Sequence, residues 1–320
     1  MSRTFKSLLF IALLLGLCGA AVALISAFAD LDLTTLWRNP ALLPALATQL
    51  LVALLMVLVW RVLLHSQLRH PASWFDAGAQ VGMTLLGKYI PGKIWGMVGR
   101  AMILNRRGVS LGATTQVLVL EQVLTLSSGI AVSGVLLGFL WFPNLGLLFL
   151  AAALLALPLL VALYSRITGP LLRLTTRALA RQFAIAQTAE LPTLNRTGFY
   201  QAFAGYTVYW LSSGIALALL VYPYLADDWF RHAVLVTAVL PTAVLAAFFA
   251  LWAPGGIGVR EGIVVGLLSL QLPLEVAALI AVVFRLVCII TDLVIGTLAL
   301  AYFARHPEPA VGETRPLEQS

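Results

Sequence analysis

Runs of apolar residues, each as long as a membrane-crossing helix, follow one another along nearly the whole chain, divided by short stretches rich in polar residues, glycine and proline. A helix rises about 1.5 Å per residue, so about 20 apolar residues cross a hydrocarbon core of about 30 Å. By this measure residues 5–28, 42–64, 112–138, 144–165, 199–221, 231–252 and 274–303 are expected to span. Hydrocarbon satisfies no peptide group, so each span must bond its own backbone, which predicts an all-α polytopic membrane protein. Pro71 opens a polar-tinged segment, SWFDAGAQVGMTLLGKY, that predicts a short helix lying at the membrane surface or dipping into it.

Two stretches interrupt the pattern in the same manner. Leu86–Arg107, LGKYIPGKIWGMVGRAMILNRR, is apolar but contains Pro91-Gly92 and five cations; Trp252–Gly262, WAPGGIGVREG, has a Pro-Gly-Gly break followed by Arg260. Both are expected to be broken, re-entrant segments. The order span, span, break, span then occurs twice, over residues 5–138 and 199–303, within one transmembrane domain, 1–304. Interrupted segments at matching places in two halves point to a transporter site. Residues 257–270, about 14 long and ended by Pro273, are marginal for a crossing. If both breaks re-enter from the cytoplasm there are seven crossings and the C-terminus is outside. If 257–270 crosses there are eight and it is inside, the arrangement expected here. Residues 166–198 read as a basic amphipathic linker on the cytoplasmic surface or as a plain positively charged loop, and 305–320 as a disordered Pro/Glu-rich tail.

Composition agrees. Of 320 residues, 61% are hydrophobic and 10% charged, against about 25% charged in soluble domains. A net charge of +7 alone fits a nucleic-acid binder, but the cations sit in alternate loops. Arg3 and Lys6 precede the first span, Arg61 to Arg107 follow the second and Arg166 to Arg196 follow the fourth, whereas the other loops hold Asp30, Asp32, Asp227 and Asp228. That distribution places the N-terminus in the cytoplasm of a bacterial-type inner membrane and argues against nucleic acid as a partner. Ser26-Ala27-Phe28-Ala29 resembles a peptidase site, yet an apolar run of about 20 residues exceeds a signal core of about 7–15, so an uncleaved anchor is expected. Cys18 and Cys288 stand alone in spans as small buried residues, and the four histidines have no metal spacing; neither metal nor cofactor is expected.

The candidate substrate-binding residues are Lys88, Pro91, Gly92, Lys93 and Arg100 of the first break, Pro254, Gly255, Gly256, Arg260 and Glu261 of the second, and Glu121, Arg285 and Asp292 within spans. Irregular backbone at membrane depth needs shelter by protein or water, and a helix restarting after Pro-Gly offers free N–H groups to an anion. Lys93 and Arg260 lie near such restarts, where the helix dipole opposes a cation unless an anion joins them. Snorkelling to headgroups is the competing reading. Arg285 and Asp292, seven apart, share a helix face; Glu121 pairs with a cation of either break, staples two helices or carries a proton. No catalytic residue is assigned, since nucleophile-elbow, phosphate-loop and phosphatase patterns are missing. Asp30 and Asp32 support the alternative of a membrane-embedded transferase on a lipid-linked substrate; a third reading is a non-catalytic scaffold that binds an enzyme of lipid or envelope assembly.

GKYIPGKIWGMVGR and PGGIGVREG resemble the two distinctive segments of the membrane region of lysylphosphatidylglycerol synthases and of stand-alone, flippase-like proteins that share it. The matching residues are Gly87, Lys88, Pro91, Gly92, Lys93, Gly99, Arg100, Pro254, Gly255, Gly256, Gly258, Arg260, Glu261 and Gly262. The resemblance implies movement of a lipid or lipid-linked headgroup, anionic or polyprenyl-linked, between leaflets. The soluble aminoacyl-transfer domain of the synthases is not found in these residues, so lipid aminoacylation is not implied.

Overall fold

The computed structural model describes residues 39–90, 95–166 (apart from 158, 162 and 165), 194–225, 229–250 and 258–306. The first apolar run with its peptidase-like site, Cys18, Asp30 and Asp32, both Pro-Gly breaks with Lys93, nearly all of the 166–198 linker and the tail beyond His306 lie outside the described residues.

Every regular element among the described residues is a helix. The helices are α1 (Leu42–Leu68), α2 (Trp74–Gly87), α3 (Trp95–Arg106), α4 (Leu111–Trp141), α5 (Pro143–Val161), α6 (Arg196–Val221), α7 (Trp229–Phe249), α8 (Val259–Leu268) and α9 (Leu274–Arg305). Six of them, α1, α4, α5, α6, α7 and α9, are long and apolar enough to cross a membrane. The remaining three are short: α2, with 14 residues, reaches about 21 Å and α8, with ten, about 15 Å. The described part of 257–270 contains one helix, α8, of about half the membrane thickness.

Local chemistry sets the helix ends. Ser73, Ser110 and Asn195 accept hydrogen bonds from the backbone N–H groups of Asp76, Ala113 and Gly198, satisfying donors that the first turns of α2, α4 and α6 leave free. Asn195 starts α6 at Arg196, three residues ahead of the expected span. Arg69 closes α1 in the left-handed conformation (φ 51°) and turns the chain toward α2.

Two apolar cores share α6. One gathers Trp60, Leu63 and Leu64 of α1, Val81 of α2, Leu120 and Leu124 of α4 and Phe199 of α6. The other joins Leu217 and Leu220 of α6 to Val236 and Leu240 of α7, Leu268 of α8 and Phe284 of α9. Leu147, Leu155 and Phe230 point outward, as lipid-facing side chains do.

Lipid is as apolar as leucine, so helices in a membrane associate through close backbone approach at small residues. Here that approach builds a specific unit. A Cβ on Gly87 would lie 2.6 Å from the Cα of Gly96, and one on Gly96 would lie 2.6 Å from the Cα of Thr84, so α2 and α3 form a hairpin in backbone contact. A Cβ on Gly82 would lie 2.7 Å from the carbonyl oxygen of Ile295, and Gly296 abuts Leu86, which seats α2 on α9. Gly87→Val, which opposes backbone rather than a movable side chain, is expected to cost at least about 1–3 kcal/mol. A detergent-denaturation midpoint equal to that of the wild type would show that the hairpin opens freely.

Candidate functional site

α2 and α8, the helices that adjoin the two breaks, pack on one stripe of α9. Its residues Arg285, Cys288, Asp292, Gly296 and Ala299 follow at steps of three and four and therefore share a face. α2 covers the C-terminal half of this stripe, with Gly82 against Ala299, Leu86 against Gly296 and Lys88 against Asp292. Residue numbers rise along α2 as they fall along α9, so the two are antiparallel, and the end of α9 lies at the end of the bundle where α2 begins. α8 covers the N-terminal half, with Arg260 at Cys288 and Glu261 at Arg285. A tight turn, Ser269–Pro273, joins α8 to α9, so α8 also runs antiparallel to α9 and in the same direction as α2. The C-terminus of α2 and the N-terminus of α8 therefore approach each other at the Cys288–Asp292 level, near the middle of α9.

The charges at this junction differ in their partners. Lys88 Nζ lies 2.6 Å from Asp292 Oδ2, and the Tyr89 hydroxyl donates to the same oxygen at 2.5 Å. The Lys88 side chain is 33% exposed and that of Asp292 only 6%, so the cation is the accessible member. As the C-cap of α2, Lys88 also sits where the helix dipole favours a cation. Glu261 has two tasks: its Oε2 accepts the Gly258 N–H at 2.8 Å, capping α8, and its Oε1 lies 3.3 Å from Arg285 Nε. Gly258 has φ 83°, a conformation that glycine adopts without strain. Arg260 is different. Its Nη2 donates to the Cys288 sulfur at 3.4 Å and its guanidinium lies 5.7 Å from the Phe284 ring centre; among the described residues no carboxylate is in ion-pair contact with it, and Glu261 acts on it only through its field.

A second polar cluster braces the α2–α3 hairpin against the bundle. Arg100 of α3 pairs with Glu121 of α4 at 2.7 Å and donates through Nε to the Gln80 carbonyl of α2 at 3.0 Å. Its guanidinium also stacks 4.2 Å from the Trp60 ring of α1. The other oxygen of Glu121 accepts from the Tyr206 hydroxyl of α6 at 3.0 Å. Trp60 Nε1 donates to Gln80 Oε1 at 3.0 Å, and Gln80 Nε2 donates to Asp76, which pairs with Arg107 at 2.5 Å. At the rim, partial burial and then the Arg107 cation lower the pKa of His70, against the opposing pull of Asp76. Five helices thus meet around Arg100, and both Glu121 oxygens are occupied.

The structure therefore brings Lys88, Arg260, Glu261, Arg285 and Asp292 together, and places Arg100 with Glu121 in a separate, sealed cluster. Pro91, Gly92, Lys93, Pro254, Gly255 and Gly256 lie outside the described residues. Tyr89, Cys288, Gln80, Trp60 and Tyr206 contribute contacts that sequence reading did not single out. A polar side chain such as Gln80 in an apolar helix was the available signal. Cys288 is buried, as expected, but it also faces Arg260.

A comparison with curated proteins returned no match to the chain. The family model described as the lysylphosphatidylglycerol synthase transmembrane region matches residues 7–296, a stretch that includes every charged side chain of both clusters. The chain belongs to the lysylphosphatidylglycerol synthase transmembrane-region family.

Proposed function

We propose that this membrane protein translocates a lipid, or a lipid-linked headgroup, across a bacterial-type inner membrane, with its N-terminus and the start of α2 on the cytoplasmic side. In this reading α2–α3 is a re-entrant element and α8 is the outer half of a broken crossing. An anionic headgroup binds where they meet on α9, between Lys88 and Arg260, with Lys93 and the two Pro-Gly breaks alongside. The observation that carries the reading is Arg260, a cation in the bundle opposite a sulfur and an aromatic ring rather than a carboxylate. It stands at the second residue of α8, where the dipole adds positive potential and Glu261 is already engaged by Gly258 and Arg285. A charge held this way is costly at membrane depth, and a phosphate would offset the cost. Half-helices that converge on a common site are the construction expected of a carrier.

Mass spectrometry of the lipids that co-purify with the wild type and with Lys88→Gln/Arg260→Ala tests this. One anionic or polyprenyl-linked species, enriched on the wild type and at least about tenfold depleted on the double variant, is expected. Bulk membrane lipid unchanged by the substitutions would overturn the site.

A further inference from the structure

Two of the buried carboxylates of the bundle, Glu121 and Asp292, are held in different ways. Glu121 is saturated: Arg100 takes one oxygen, Tyr206 the other, and the Arg100 side chain is 1% exposed. Asp292 receives both its donors, Lys88 and Tyr89, on the single oxygen Oδ2, and the donor that carries the charge is the accessible one. Lysine is a compact charge on a flexible four-carbon stem and can change partners without breaking a planar fork, as arginine cannot.

Resting on the translocase reading, we propose that Asp292 is a proton-binding site coupled to the headgroup. When an anionic headgroup draws Lys88 to itself, Asp292 takes up one proton from the aqueous side that admits the headgroup. The charge count supports the exchange. Before entry Lys88 is matched by Asp292 and Arg260 has no carboxylate in contact; afterwards both cations face the headgroup and a proton replaces Lys88 on Asp292, so headgroup and proton enter together without changing the net charge of the site. Without the proton, the incoming anion would face an unpaired carboxylate in a setting of low dielectric, where like charges repel strongly and the charged form is disfavoured. The remaining surroundings permit this. Tyr89 continues to donate to the carboxyl group. Arg285, two turns away on α9, is matched by Glu261. Arg260 of α8 faces Cys288, and from α6 Tyr209, a neutral phenol, lies within the field of Arg260, Cys288 and Asp292. α1, which also packs on α9, brings no titratable residue between Leu42 and Trp60.

Linkage makes the coupling reciprocal: if headgroup binding loads the proton, acidification tightens headgroup binding, by about tenfold per pH unit while one proton is exchanged. Infrared difference spectra of the purified protein, recorded on addition of soluble dihexanoyl-phosphatidylglycerol, are expected to show a new protonated-carboxyl band. Asp292→Asn is expected to lack it, and Asp292→Glu to restore it at a shifted position. Lys88→Gln, which leaves the carboxylate without its cation beforehand, is expected to lose the lipid-induced change. A band that persists in Asp292→Asn, or no band in the wild type, overturns the proposal. Movement of labelled phosphatidylglycerol in phosphatidylethanolamine/phosphatidylglycerol vesicles, read in parallel, separates the two readings. Movement without the band defeats the proton site and leaves the translocase; neither movement nor band defeats both.

Discussion

Arg100→Ala is expected to lower the stability of the bundle by about 3–5 kcal/mol, the range measured when one partner of a buried ion pair is removed. The substitution strands Glu121, with only the Tyr206 hydroxyl left to it, in a core sealed by α1, α2, α4 and α6. It also removes the donor to the Gln80 carbonyl and the cation above Trp60, so three helices lose their common partner. Arg100→Lys is expected to recover little, because one ammonium cannot reach Gln80 and Glu121 while covering the indole face. By contrast, Arg100→Met/Glu121→Gln removes both charges and is expected to regain most of the loss. Denaturation midpoints in mild detergent for the three variants decide the matter. An Arg100→Ala protein within about 0.5 kcal/mol of the wild type would mean that water reaches the pair and that the cluster is no brace.

Glu261→Ala is expected to have the next largest effect, about 2–4 kcal/mol, from two losses that substitution can separate. It deletes the acceptor for the Gly258 N–H at the start of α8, a cap of about 1 kcal/mol. It also removes the carboxylate that faces Arg285, whose side chain is buried against α8. Glu261→Gln retains the cap and deletes only the charge, so it is expected to fall between wild type and alanine. Hydrogen exchange at the amides of Gly258 to Gly262 checks the division. Protection lost in the alanine variant and kept in the glutamine variant supports it; equal loss in both would make the cap irrelevant.

Much of this architecture was legible in the chain, and for physical reasons. A run of about 20 apolar residues has few alternatives to a crossing helix, so α1, α4, α6, α7 and α9 begin and end within a few residues of the runs that predict them. The shared face of Arg285 and Asp292 was legible too, because helical spacing alone decides it. Partners were not. Tyr89 and Asp292 are 203 residues apart, and nothing along the chain says that α2 lies against α9 rather than α4. Glu121 was open to a cation from either break; Arg100 is the one that reaches it, because the Gly87–Gly96 contact sets α3 at the right height beside α2. Lys88 was named among the candidate residues, but its partner was not readable, because the pairing depends on its place at the C-terminus of α2 and on an aspartate more than 200 positions later.

The stripe on α9 also imposes an order in time. A ribosome delivers α2 with Lys88 and Tyr89 to the membrane long before it has made Asp292, and α8 with Glu261 before Arg285. α9 follows all the other described helices, so both half-helices must wait, charged and unmatched, until the final insertion supplies their counter-ions. Intermediates that hold α2 or α8 but not α9 therefore carry charges whose partners have not yet been made.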